Sequence, residues 1–196
     1  MKIAIILAST RPGRHSDRIA KWTFDNARKN ADFDDVELLD LRDYPMPLFN
    51  ESVSPRFNPE RKPSAEVKKW LDKLDIFDTY IIVTPEYNHS IPAVLKNALD
   101  YIDWQVKQKP FAIVSHGSAG GARAAEHLKG IISEVRAVVI PTALALTMRV
   151  SEVFDENGTL TEEIAAKPSS PAGTLDALLE ELSWYAEALK TARSKS

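Results

Sequence analysis

The 196-residue chain contains no cysteine. That excludes disulfides, thiolate zinc sites, thiolate-bound iron–sulfur clusters and a cysteine nucleophile, so redox chemistry here needs a bound cofactor. Glycine is scarce, with 7 residues. No Gly-x-Gly-x-x-Gly or Gly-x-x-x-x-Gly-Lys-Ser/Thr pattern occurs, which argues against a dinucleotide fingerprint and a triphosphate P-loop. Basic excess is also lacking: the net charge is -3, with both signs scattered along the chain. No field is available to hold a polyanion, and nucleic acid is not an expected partner. No apolar run approaches the roughly 18–20 residues needed to span a bilayer. The run after Met1-Lys2 is too short for a signal-peptide core, so the expected location is the cytosol and no membrane role is expected.

What remains is an ordinary globular composition, 44% hydrophobic and 27% charged, at a length that suits one domain over residues 1–196. Lys2 to Ser9 is an almost continuous apolar, β-branched run, the pattern of a strand buried on both faces of a parallel sheet. Ser16 to Lys29 carries Ile19, Ala20, Trp22, Phe24 and Ala27 at helical spacing, with Ser16 placed as N-cap. The alternation continues with a strand over Val36–Leu41, a helix over Ser64–Phe77, a strand over Thr79–Thr84 and a helix over Ile91–Trp104. A strand over Phe111–Ser115 and a helix over Gly121–Val135 follow. A fifth strand starts at Ala137–Ile140, and Thr174–Ala192 closes the chain as a helix. The proline-rich segment from Arg42 to Lys62 reads as a long loop, a candidate lid or contact segment. Five strands alternating with five helices predict an open, doubly wound α/β sheet with ligands beyond the carboxyl ends of its strands.

Three loops at that edge carry the chemistry. Residues 8–17 supply Ser9, Thr10, Arg11 and Ser16 at a helix N-terminus, a setting for a phosphate monoester. On spacing alone the same residues also read as a cap with solvated arginines. Residues 84–92 hold Pro85, Glu86, Tyr87 and Asn88; the prolines stiffen the loop, and the amides of Glu86 to Asn88 are expected to be free to face the polar edge of a flat ring. Asn88 and Ser90 also read as turn and cap residues. Residues 115–121, Ser-His-Gly-Ser-Ala-Gly-Gly, allow a planar ligand close to the backbone, or serve only as a packing turn.

Taken together, Ser9-x-Arg11 with Ser16, Pro85-Glu86-Tyr87-Asn88-x-Ser90-x-Pro92, Leu95-Lys96-Asn97-Ala98-x-Asp100 and the Gly117–Gly121 loop resemble the NADPH-dependent FMN reductase family, which includes quinone, azo and chromate reductases. The likeness spans about Lys2 to Pro141. It implies a flavodoxin-like three-layer α/β sandwich with a five-stranded parallel sheet in the order 2-1-3-4-5. It also implies bound FMN, NADPH or NADH as co-substrate, and a homodimer or homotetramer. By position, Ser9, Arg11, Ser16 and the amide of Asp17 match the family's phosphate loop. Pro85, Glu86, Tyr87 and Asn88 match its ring loop, and His116, Gly117 and Ser118 the loop at the ring's other edge. Departures stand at Ala8 and Ala93, where many relatives have Gly, and around Asp17, near which many have Asn.

No metal site and no catalytic acid or base is expected. His15, His89, His116 and His127 lack metal-ligand spacing, and no Gly-x-Ser-x-Gly accompanies Ser115 or Ser118. Arg14 and Arg18 are candidates for the 2′-phosphate of NADPH. Tyr44, Met46, Leu48 and Phe49 read as satellite core or as a partner contact, and the helices Pro92–Trp104 and Gly121–Val135 as dimer surfaces. The expected activity is NAD(P)H-dependent transfer of electrons, by a ping-pong order, to a small acceptor: a quinone, flavin, azo compound or metal oxyanion. Two alternatives share the fold: an electron-carrier flavodoxin, disfavoured by Arg11 and Arg14 in the first loop, and a response-regulator-like binding domain, disfavoured by the lack of an acidic pocket.

Overall fold

The computed structural model describes residues 1–147 and 149–195. Among them, strands β1 (Lys2–Leu7), β2 (Asp35–Asp40), β3 (Thr79–Pro85), β4 (Pro110–His116), β5 (Val138–Val139) and β6 (Leu144–Leu146) form one parallel sheet. The order is β2-β1-β3-β4-β5, with β6 also on β4. Period-2 alternation divides each central strand between two cores. Ala4, Ile6, Tyr80, Ile82, Phe111 and Ile113 face one side, and Ile3, Ile5, Ile81, Val83, Ala112 and Val114 the other. The first side is covered by α2 (Ala65–Asp75), α3 (Ala93–Asp100) and α4 (Ala122–Glu134). The second is covered by α1 (Ser16–Ala27), the short α5 (Val150–Val153) and α6 (Glu162–Ala165), and α7 (Pro171–Arg193). A fully buried double face is why these strands read as continuous apolar runs.

Four expectations need correction. The fifth strand is broken, because Pro141 has no N–H to give the ladder and the chain returns to β4 only at Leu144. The third helix is shorter than Ile91–Trp104: it ends at Asp100, and the Arg61 guanidinium takes the carbonyl of Tyr101 at 2.8 Å. Ser16 is no N-cap; His15 holds that position without a side-chain bond, and the Ser16 side chain is buried. The 42–62 segment contains two 3₁₀ turns, Leu41–Asp43 and Pro55–Phe57, and is pinned by Arg61, which pairs with Glu51 at 2.7 Å and Asp103 at 3.1 Å. Of its apolar residues Tyr44 is buried, Met46 and Phe49 pack on the core, and Leu48 is exposed. Among the described residues no helix is long and apolar enough to cross a membrane.

At the amino edge of the sheet Lys109 is 9% exposed. Its Nζ donates to the Asp75 carbonyl at 2.8 Å and the Tyr80 hydroxyl at 3.4 Å. Burial, partly offset by Asp75, pulls its pKa down to about 8. The folded protein therefore releases this proton before the unfolded chain does, so stability rises with pH from about 8 toward the ordinary lysine value. Burial raises the Tyr80 hydroxyl, which reverses the trend above about pH 10, where unfolded tyrosine ionises. Urea unfolding at pH 7.5 and pH 10 should show a gain of about 2 kcal/mol in the native protein relative to Lys109→Met over the same interval. Parallel behaviour of the two proteins would show that Lys109 keeps ordinary hydration.

Candidate active site

The register sets the site. Leu7 lies opposite Val83, Thr84 opposite Ser115 and Pro85 opposite His116, so the loops after β1, β3 and β4 leave the sheet side by side. In the first, the buried Ser9 hydroxyl is 2.7 Å from the Tyr87 hydroxyl and accepts from the Arg11 amide at 3.4 Å. Arg14 is internal, with a side chain 3% exposed. Its guanidinium donates to the Ser9 carbonyl, to Asp17 at 2.8 Å, and in a two-pronged contact to Asp40 at the end of β2, with a first prong of 2.8 Å. It is an internal strut, which corrects its expected role toward NADPH. Arg18 is turned to the Phe154 carbonyl at 3.2 Å. Arg11 is exposed, and the amides of Ser16 and Asp17 open the first turn of α1 without intrahelical acceptors.

The second loop turns tightly. Tyr87 and Ser90 exchange two backbone hydrogen bonds, of 2.9 and 3.0 Å, around Asn88 and His89 at φ 49° and 66°. Positive φ at both central positions is a type I′ signature carried here without glycine. The amides of Glu86 and Tyr87 are consumed, the first by the His116 carbonyl at 3.0 Å and the second by Ser90. Only the Asn88 amide matches the expectation of a free donor among the three. Ser90 caps nothing; its hydroxyl is 2.7 Å from His127 Nδ1. The Glu86 carboxylate accepts from the Arg123 amide at 3.1 Å and from its guanidinium at 2.7 Å. Burial pushes that carboxyl up, but the Arg123 bonds outweigh it and hold it below the ordinary range.

In the third loop His116 Nε2 lies 2.8 Å from the Ser16 hydroxyl. Burial, with repulsion from His15, lowers this imidazole to about 4, so it is neutral at physiological pH and joins the α1 terminus to β4 as a neutral partner. Gly117 is close to the second loop, since a Cβ added there would stand 3.3 Å from Glu86 Cβ. Ser118 is exposed, and Ser115 ties the loop to the Gly120 carbonyl at 2.7 Å.

The structure thus gathers Ser9, Ser16, Pro85, Tyr87, His116 and Gly117 around one edge. It leaves the Glu86 carboxylate engaged with Arg123 and Ser118 at the rim. Sequence reasoning missed three arginine roles. Arg14 supports the first loop from inside, Arg42 braces it through the Thr10 and Arg11 carbonyls at 3.4 and 2.7 Å, and Arg123 holds Glu86. The usable signal was Asp40, a carboxylate directly after Leu38-Leu39 at the end of β2 where the ligand loops leave the sheet, a position that favours a cation nearby.

Comparison with known proteins agrees with this arrangement. The family model for NADPH-dependent FMN reductase matches residues 1–150. An NAD(P)H-dependent FMN reductase of a Nectria species is 33% identical over 196 residues, covering 96% of this chain and 97% of the relative. A 2-hydroxy-1,4-benzoquinone reductase of a Burkholderia species is 30% identical over 174 residues, covering 85% and 89%. The fold superposes on the flavoenzyme NAD(P)H:(acceptor) oxidoreductase FerB of Paracoccus denitrificans with a TM-score of 0.74 at 22% identity, covering 94% of this chain and 98% of that one. With three-quarters of its length matched by one model and a sheet of the corresponding order, the chain belongs to the NADPH-dependent FMN reductase family.

Proposed function

We propose that the protein holds FMN across the three loops and uses it to pass electrons from NAD(P)H to a small acceptor. The observation that carries this reading is the pairing of Ser9 with Tyr87 at 2.7 Å and of Ser16 with His116 at 2.8 Å, which joins all three loops into one cradle. The residues present fit a phosphorylated planar ring. Arg11, the Ser16 side chain and the first-turn amides of Ser16 and Asp17 suit the phosphate. Pro85, Tyr87, Asn88, with Gly117 and Ser118 opposite, suit the ring edges, and Glu86 enters through its hold on Arg123. When bound, FMN supplies the two-electron chemistry. The chain's part is to orient the ring, exclude water on the inner side and keep neutral donors, among them His116, at the ring's border. No acid or base of the protein is required, and we place NAD(P)H and acceptor on one outer face in succession, a ping-pong order. Quinones head the acceptor classes on the strength of the Burkholderia relative; flavins, azo compounds and metal oxyanions are the further classes we propose.

We also propose self-association as a homodimer or homotetramer. Leu48, Val53 and Phe57 of the proline-rich segment, and Trp104 after α3, are exposed apolar side chains, and sedimentation of a monomer at micromolar concentration would refute it. The cofactor reading is tested by a visible spectrum of the purified protein and its bleaching on anaerobic addition of NADPH, followed by recovery with a quinone. A colourless protein that gains no thermal stability from FMN would overturn it. Arg11→Ala should weaken FMN about 10- to 100-fold in a fluorescence titration, the worth of a charge-assisted contact, while riboflavin binds both proteins alike. Equal FMN affinity would remove Arg11 from the phosphate site.

A further inference from the structure

Beside the first loop lies a cavity of about 290 Å³ that the cofactor reading does not use. Its walls are Thr10, Arg42, Tyr44, Met46, Val94 and Asn97. The floor is apolar and stiff: Tyr44 is buried and stacks edge-on with Trp70, and both polar ends of Asn97 are spent on the Phe49 amide and the Pro47 carbonyl, each at 2.8 Å. The rim is cationic. Arg42 uses Nε and one Nη for the Thr10 and Arg11 carbonyls, which leaves donors of its fork available. Of the carboxylates near it, Asp40 is committed to Arg14 and to the Arg42 amide, Glu37 is paired with Lys73 at 2.5 Å, and the adjacent Asp43 is exposed to solvent. Lys69 adds a second cation, 5.0 Å from the Tyr44 ring centre. An apolar slot with an arginine fork at its lip suits an aromatic base bearing a phosphate monoester.

We infer that this cavity receives the adenosine 2′-phosphate end of NADPH and that Arg42 selects NADPH over NADH. The assignment rests on the reductase reading, since the cavity adjoins Thr10 in the loop proposed for FMN. It replaces Arg14, whose guanidinium is taken inside the fold, and Arg18, which is turned toward the Phe154 carbonyl.

The test is calorimetry on FMN-saturated protein with 2′,5′-ADP and 5′-AMP, which lack nicotinamide and report on the cavity without any turnover. The 2′-phosphate should tighten binding about 10-fold in the native protein, and Arg42→Ala should erase that difference. Met46→Glu, which leaves the Arg42 brace in place and puts a carboxylate in the slot, should weaken 2′,5′-ADP by a similar factor. In steady-state assays the preference for NADPH over NADH in kcat/KM should fall about 10-fold in Arg42→Ala. Equal binding of the two nucleotides to native protein, or an unchanged difference in the variants, overturns the inference. So does a change confined to the KM of a sulfonated azo dye, which would make the cavity an acceptor site. Failure of the cofactor reading would appear separately, as native protein that does not quench added FMN.

Discussion

Arg14→Met should lower the unfolding free energy by about 3–4 kcal/mol, a fall of roughly 6–15 °C in Tm for a chain of this size. The side chain is 3% exposed and bridges two carboxylates, Asp40 at 23% and Asp17 at 52% exposure. The hydrogen bond to Asp40 raises the guanidinium pKa against the opposing cost of burial. Burial raises the Asp40 carboxyl, and the bonds from Arg14 and the Arg42 amide more than reverse that, leaving it low. Removing Arg14 strands Asp40 without its cation, and frees the Ser9 carbonyl that fixes the first loop. Because Asp40 is lowered on folding, the pair's contribution is present above the ordinary aspartate range and drains away as pH falls through it. The expected pattern is therefore sharp acid sensitivity in native protein and a flatter profile in the variant. A double-mutant cycle with Asp40→Asn should give a coupling of at least about 1.5 kcal/mol, since replacing both members of a buried pair costs far less than orphaning one. Additive effects would mean that solvent already screens the pair.

The same cluster marks where sequence reading stopped. Strand and helix order was legible because burial on two faces leaves a one-dimensional trace: runs such as Ile3–Leu7 and Tyr80–Val83 can only be central, and the Leu175, Leu178, Leu179, Leu182 spacing can only be one helical face. The convergence of three loops followed from that order and the rule that ligands sit beyond the carboxyl ends. Illegible were features decided by pairs distant in sequence. Arg14 and Asp40 are 26 residues apart and Glu86 and Arg123 37 apart, so nothing local distinguishes a buried strut from a solvated charge. The spent amides of Glu86 and Tyr87 were equally hidden, because a type I′ turn without glycine at Asn88-His89 carries a weak local signal. The split of the fifth strand was readable in principle from Pro141; the apolar run on its amino side masked it.

Gly121→Ala should be nearly as damaging, at about 3 kcal/mol, and should also loosen FMN. Two costs combine. Gly121 stands at φ 74°, where an alanine pays about 1 kcal/mol or more for the left-handed conformation. Its new Cβ would also lie 2.9 Å from the His116 amide nitrogen and from Ser115 Cβ, and 3.0 Å from the His116 carbonyl oxygen. Backbone cannot yield as a flexible side chain does, so β4 and the loop must separate, an overpacking cost of roughly 1–3 kcal/mol. The displaced residue is His116, which holds Ser16 at the α1 terminus and accepts the Glu86 amide; the strain is delivered to all three loops at once. Gly130→Ala, at an exposed position of α4 with nothing within 4 Å of the added carbon, should instead stabilise by about 0.5–1 kcal/mol through helix propensity. Opposite signs for two identical substitutions, one at the N-cap of α4 and one within the helix, read by urea unfolding and FMN titration, would assign the loss to contact and φ. Equal small effects would show that the 115–121 loop is slack, and a slack loop cannot present one edge of a rigid cradle.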